Sequence, residues 1–149
     1  MLEIGTCAIS AEEIIHVLEK EKILNLATCA GNRVTIRPMS HINEGLTIFF
    51  QTGRDSLKLQ QIRENPNVAM CVGTYELEGV ADLAGHPLDT ENEFFSRKYK
   101  EKHPKSFESY SALEEEVVVK VLIRMARQWR YVDGKPFLAE QQFDLGAPI

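Results

Sequence analysis

The chain has 149 residues, 44% of them hydrophobic and 26% charged, with a formal net charge of −5. That length suits one domain that buries roughly two-thirds of its unfolded surface, and the composition argues against disorder. The acidic balance argues against a broad basic face that grips nucleic acid through its phosphates, and it leaves room for one local basic pocket. No window approaches the ~18 apolar residues of a membrane span. The opening MLEIGTCAISAEEII has no basic stretch followed by an apolar core, so no secretory leader is expected. Cys7, Cys29 and Cys71 form no CxxC, which fits reduced thiols in a cytoplasm and offers no zinc spacing. His16, His41, His86 and His103 form no HExxH or HxH pair, so no metal site is expected.

In chain order, Ser10-Ala11-Glu12-Glu13 is a capping-box pattern, and Ile14, Val17 and Leu18 give the helix after it an apolar side through about Lys22. From Ile23 the period shortens towards two. Leu24, Leu26 and Thr28 alternate, Gly31-Asn32 turns the chain, and Thr35, Arg37, Met39 and His41 share one face of a second strand. A turn at Asn43-Glu44-Gly45 leads into Leu46 to Gln51, so three strands in a meander are expected. Pro38 inside the second strand removes a hydrogen-bond donor, which implies an edge, a bulge, or a backbone left open for a ligand.

After the third strand comes QTGRDSLKLQQIRENP, Gln51 to Pro66. It reads as a strand end, a tight turn and a helix capped by Asp55 or Ser56 and stopped at Asn65-Pro66. Thr52, Arg54, Ser56 and Lys58 crowd into that junction. Hydroxyls, a guanidinium and an ammonium at a helix start suit a compact, multiply charged anion such as a phosphate monoester. The same residues also suit an ordinary polar turn. The chain has neither GxxxxGK[ST] nor GxGxxG, which disfavours a Walker loop and a pyrophosphate-binding dinucleotide fold.

Strands are expected at Val68 to Val72 and Tyr75 to Ala84, with Gly73 and Gly79 marking bends or close approach. A helix is expected from Asp89 to His103-Pro104, and a shorter one between Ser106 and Glu116. Val117 to Val132 reads as one long strand, Asp133-Gly134 as a hairpin turn and Pro136 to Glu140 as its return. The total is a mainly β, α+β chain: one domain over residues 1–149, an antiparallel barrel of about six or seven strands with two to four helices outside.

Leu26-Ala27-Thr28, Arg37-Pro38, Phe49-Phe50-Gln51-Thr52, the Thr52, Ser56, Lys58 spacing, Asn65-Pro66-x-Val68 and Glu78-Gly79-x-Ala81 resemble, in order, the pyridoxamine 5′-phosphate oxidase-related flavoproteins with an FMN-binding split barrel. The resemblance implies that Thr52, Ser56 and Lys58 hold an FMN phosphate and that Arg37, Pro38 and Met39 run beside the flavin. Gln51, Arg54 and Gln61 are further candidates. It also implies a homodimer with flavins at the subunit interface, with Trp129, Arg130 and Tyr131 as candidates for the partner's contribution. The oxidase that names the family ends in an arginine-rich segment that grips substrate phosphate. This chain has no arginine or lysine after Lys135, so oxidation of pyridoxamine phosphate is not expected. The short general-stress-like and nitroimidazole-resistance-like members fit better. The expectation is an FMN-dependent oxidoreductase acting on an unassigned small molecule in the cytoplasm, with no nucleic-acid or membrane partner. The alternatives are a non-catalytic flavin- or haem-binding stress or sensor protein and a deazaflavin-using enzyme. No catalytic residue is assigned; His41 lies near the right strand.

Overall fold

The computed structural model describes residues 3–144, so the last residues of the arginine-free C-terminal segment lie outside the described part. The Ser10 capping box forms as its sequence implies. Ser10 Oγ accepts from the Glu13 amide at 3.2 Å, and Glu13 Oε2 accepts from the Ser10 amide at 2.9 Å. Helix α1 (Ala11–Lys20) then buries Ile14 and Leu18.

Strands β2 (Ile23–Ala30) and β3 (Arg33–Ser40) form the expected hairpin, because Gly31 and Asn32 both take positive φ, 56° and 63°. A two-residue turn of that hand matches the twist of the strands it joins. The meander ends there. The chain makes a three-residue strand β4 (Ile42–Glu44), turns at Gly45 (φ 58°) and returns as β5 (Thr47–Gly53), paired with β4 rather than β3. Strand β2 takes β6 (Asn67–Val72) on its other side, so β3 is an edge strand. Pro38, which cannot donate to a neighbour, accordingly sits on that edge.

Strands β7 (Tyr75–Leu83), β8 (Glu116–Val132) and β9 (Lys135–Gln142) complete the curved sheet, with a short β1 (Gly5–Cys7) parallel to β9. β1 and β4, three residues each, bring the strands to nine among the described residues. The first half of β8 pairs with β5 and the second half with β9, both on the edge opposite β7. No ladder joins β3 to β5, so the barrel is split along that seam.

Helix α2 (Leu57–Glu64) is capped by Ser56, not Asp55, and buries Leu59 and Ile62 against the barrel interior of Leu26, Phe50, Leu77 and Val121. Between β7 and β8 a 3-10 turn (Thr90–Asn92) leads into α3 (Glu93–Lys102) and α4 (Pro104–Tyr110). α4 lies earlier than its sequence suggested. Pro104 is preorganised for the first turn, and carboxylates at Glu114, Glu115 and Glu116 oppose a helix C-terminus. Phe95 and Tyr99 of α3 pack with Ile42 and Val118 as a second core.

The ladder between β7 and β8 shifts register between Glu78 and Gly79, and a Cβ on Gly79 would lie 2.7 Å from the Leu122 carbonyl oxygen. Overpacking a closed backbone contact costs about 1–3 kcal/mol. Gly79→Ala is therefore expected to lower the unfolding free energy by about 2 kcal/mol, measured by equilibrium urea denaturation; an unchanged midpoint contradicts this packing.

Candidate functional site

The split leaves a cleft of about 320 Å³. Pro38, Met39 and Ser40 of β3 form one wall and Gln51 and Thr52 of β5 the other, with Lys58 of α2 at one end. Tyr99, Ser106 and Tyr110 of the two later helices and Glu116 at the start of β8 complete it.

The local fold brings three of the residues picked from sequence together. Gly53 ends β5, Ser56 caps α2, and the chain reverses between them, so positions 52, 56 and 58 face one another. Thr52 Oγ1 donates to Ser56 Oγ at 3.0 Å and accepts from Lys58 Nζ at 3.0 Å. Ser56 Oγ also accepts from the Leu59 amide at 3.4 Å. Among the described residues no carboxylate lies within ion-pair distance of Lys58 or Arg37. Burial and the nearby Arg37 guanidinium push the Lys58 ammonium below its ordinary value, and Glu116 works against them. Two cations near the start of a helix, with no acid bound to either, form an electropositive end to the cleft.

Gln51 adds a second signal. Its side chain is buried, and its Oε1 accepts from Ser111 Oγ at 2.8 Å. Its Nε2 has no hydrogen-bond partner among the described residues. A buried amide donor left unpaired costs about 1–3 kcal/mol, so a polar atom in the cleft is what this group lacks.

Other predicted residues sit differently. Arg37 donates to Thr28 Oγ1 at 2.8 Å, to the Leu26 carbonyl at 3.3 Å and to Thr35 Oγ1. Gln61 is buried behind the clasp, where its Oε1 accepts from Thr28 and Thr35 and its Nε2 donates to the Arg33 carbonyl at 3.1 Å. Arg54 is exposed in the turn, and its side chain does not line the cleft. Trp129 is 51% exposed and lies twelve residues of strand beyond Val117, the partner of Thr52, roughly 40 Å at ~3.3 Å per residue. Arg130 is held by Glu13 and Gln128, whereas Tyr131 is exposed. Tyr99, Ser106, Tyr110 and Glu116 escaped the sequence reading because they lie 40 or more residues downstream of the motif.

A larger cleft of about 420 Å³ opens beside Lys98 and Lys102. Its lysines are already engaged, Lys98 with Glu101 at 3.7 Å and Lys102 with the Leu18 carbonyl at 2.9 Å. The split-barrel cleft is the better candidate.

The fold is a split barrel with a polar clasp at its seam, and the family follows from the sequence match. The family model described as pyridoxamine 5′-phosphate oxidase matches residues 10–130, and the chain belongs to that family. It is similar to general stress protein 26 of Bacillus subtilis (strain 168), 34% identical over 71 residues, which is 48% of this chain and 50% of that protein. The match thus spans about half the length of this curated relative. The haem storage protein HutZ of Vibrio cholerae superposes with a TM-score of 0.66 at 13% identity, over 76% of this chain and 89% of its own. A FAD-binding protein of Mesorhizobium loti does so with 0.63 at 16% identity, over 79% and 92%. At these identities the two structures bear on the fold alone.

His41 does not line the cleft. It is fully buried between α1 and α3, where its Nε2 donates to the Leu18 carbonyl at 2.9 Å. Burial, helped by the Lys102 ammonium, pushes its imidazole from 6.5 down to about 4. Between those values the unfolded chain binds the proton and the folded chain resists it, so stability falls as pH drops from 6.5 towards 4. The expected loss from this residue is on the order of 3 kcal/mol, read by urea denaturation near pH 7 and pH 4.5, with a flatter profile in His41→Gln. Equal slopes in the two proteins contradict it.

Proposed function

We propose that the chain is a flavoprotein whose cofactor is FMN, and that it works as an oxidoreductase on a small molecule. The observation that carries this reading is the Thr52, Ser56 and Lys58 clasp at the split of the barrel. Its hydroxyls and ammonium match a phosphate monoester, and the unpaired Gln51 Nε2 offers a donor further along the same cleft. Arg37 adds long-range positive charge from behind. Pro38 and Met39 provide an edge strand whose free backbone can run beside a planar ring system. When bound, the flavin supplies hydride or electron chemistry. The chain's own residues bind its phosphate, fix its orientation between β3 and β5, and exclude water with the aromatic side chains of α3 and α4. No catalytic triad or carboxylate pair is required for that division of labour. Oxygen, a nitro compound or another acceptor takes the electrons, and the setting is the cytoplasm. Among the described residues no helix is long and apolar enough to cross a membrane.

The reading includes a homodimer. Val34 and Ile36 of the edge strand are 69% and 67% exposed, beside outward-facing Ala27, Ala69 and Cys71. That apolar face suits a second copy. In such a dimer Trp129 of the partner subunit, out of reach within one protomer, supplies an aromatic contact to the ring.

The second reading is haem storage, favoured by the likeness to HutZ. Among the described residues the cleft lining holds no histidine or cysteine, and of the usual axial haem ligands it offers only Met39, Tyr99 and Tyr110. That donor set suits a flavin better.

Mass spectrometry of the molecule that co-purifies separates FMN, a deazaflavin and haem in one measurement. A colourless protein with no thermal shift on adding FMN overturns the flavin reading. Lys58→Ala is expected to weaken FMN binding by about 1.5–3 kcal/mol, the scale of a hydrogen bond to a charged group, by fluorescence titration. Ile36→Asp is expected to yield monomers in sedimentation velocity and to weaken FMN binding at the same time; a dimer that persists unchanged rejects this interface.

A further inference from the structure

On the reading that the clasp takes a phosphate monoester, one residue of the cleft carries the wrong charge for the task. Glu116 opens β8 opposite Gly53 and is buried. Its Oε1 lies 3.9 Å from the position that a Cβ on Gly53 would take, so the carboxyl hangs over the turn that joins Thr52 to Ser56. The groups that face it are few. Lys58 comes from α2, Glu115 precedes it, His86 lies in the loop after β7, and the Tyr99 phenol of α3 feels its charge. Of these, Lys58 alone belongs to the clasp.

We propose that Glu116 makes the clasp proton-coupled: a phosphate monoester dianion binds together with one proton from solvent, which the Glu116 carboxylate takes up. Lys58 cannot neutralise Glu116 and a dianion at once. An entering phosphate draws the ammonium to itself and sets two further negative charges beside a buried carboxylate. Like charges sharing a half-buried site raise the affinity of one of them for a proton. Burial, with Glu115 alongside, already holds the Glu116 carboxyl above the ordinary carboxylate range. The anion pushes in the same direction. Glu116 thereby determines the net charge the clasp accepts and makes affinity fall as pH rises.

The test is titration calorimetry of the full chain with FMN at several pH values from about pH 6.5 to pH 8, in two buffers of different ionisation enthalpy. The second ionisation of a phosphate monoester has a pKa of roughly 6, so the ligand's own proton change is small over this range and the same for both proteins. Wild type is expected to take up more protons per FMN bound than Glu116→Gln. Above the range of its uptake it is expected to bind FMN roughly tenfold more weakly than the variant, the scale of one pK unit of coupling, with the gap narrowing as pH falls. No proton uptake by wild type, or equal uptake in both proteins, overturns the inference. Should Glu116→Gln fail to fold, the wild-type proton count decides, with Glu116→Asp expected to retain uptake. Failure of wild type to bind any FMN is a failure of the flavin reading instead. The same two proteins titrated with inorganic phosphate then decide the Glu116 coupling, and no phosphate binding by either overturns it as well.

Discussion

The constraint on which the architecture depends is the sharing of one strand edge. β8 runs for 17 residues and has three partners, while a strand has only two edges. β7 occupies one edge. β5 and β9 divide the other, β5 ending at Leu122 and β9 taking over from Met125. β5 is thereby committed to β8 and β4, and β3 is left without a second neighbour. In a closed barrel those two strands would pair and leave no room between them. Here the unsatisfied edge of β3, with its proline, becomes one wall of the cleft and β5 the other. The candidate site is the place where the sheet fails to close.

The side chains behind that seam explain why it is rigid enough to hold a clasp. Gln61 lies three residues after Lys58 on the same helix, hence on a neighbouring part of its surface. It is tied to Thr28 and Thr35 on the paired strands β2 and β3, and to the Arg33 carbonyl at the hairpin turn. Arg37 closes the network from the other side. A buried polar network with its members satisfied fixes one arrangement, because any slip leaves a donor or acceptor unpaired in low dielectric. The network therefore sets the rotation of α2 about its axis and with it the direction in which Lys58 points. Gln61, a further candidate from sequence for the cofactor site, lies behind the cleft and ties α2 to β2 and β3.

What was legible in the sequence is what is local. The capping box at Ser10 and Glu13, the two hairpin turns with positive φ at Asn32 and Asp133, and the crowding of Thr52, Ser56 and Lys58 are all settled within a few residues. Pro38 announced an edge because a missing donor is a local fact with a global consequence. The pairing of β5 with β8 was not legible. It joins residues about 70 positions apart, and the alternating pattern of either strand would serve equally well against β3. The same separation hid the far side of the cleft. Nothing near Tyr99, Tyr110 or Glu116 indicates that they converge on a turn half a chain away, and Trp129, whose neighbours in sequence look like a site, lies at the opposite end of a long strand.

The charges in the cleft supply the last link. The Arg37 guanidinium is close enough to disfavour the Lys58 charge, and both groups lose hydration on folding. Packing alone gives no reason to hold them there, since a leucine at position 58 would fill the same space without the repulsion. Within the chain Arg37 is offset by neutral acceptors, Thr28, Thr35 and the Leu26 carbonyl, and Lys58 by the neutral Thr52 hydroxyl and by Glu116, which makes no ion pair with it. A helix start adds partial positive charge in the same direction. Local conflicts that a fold does not need tend to mark the place where it works, and the phosphate monoester we propose, resting between the hydroxyls of Thr52 and Ser56, would resolve this one. That requirement narrows the ligand by charge and size, whereas the split barrel by itself, found in both haem and flavin binders, does not.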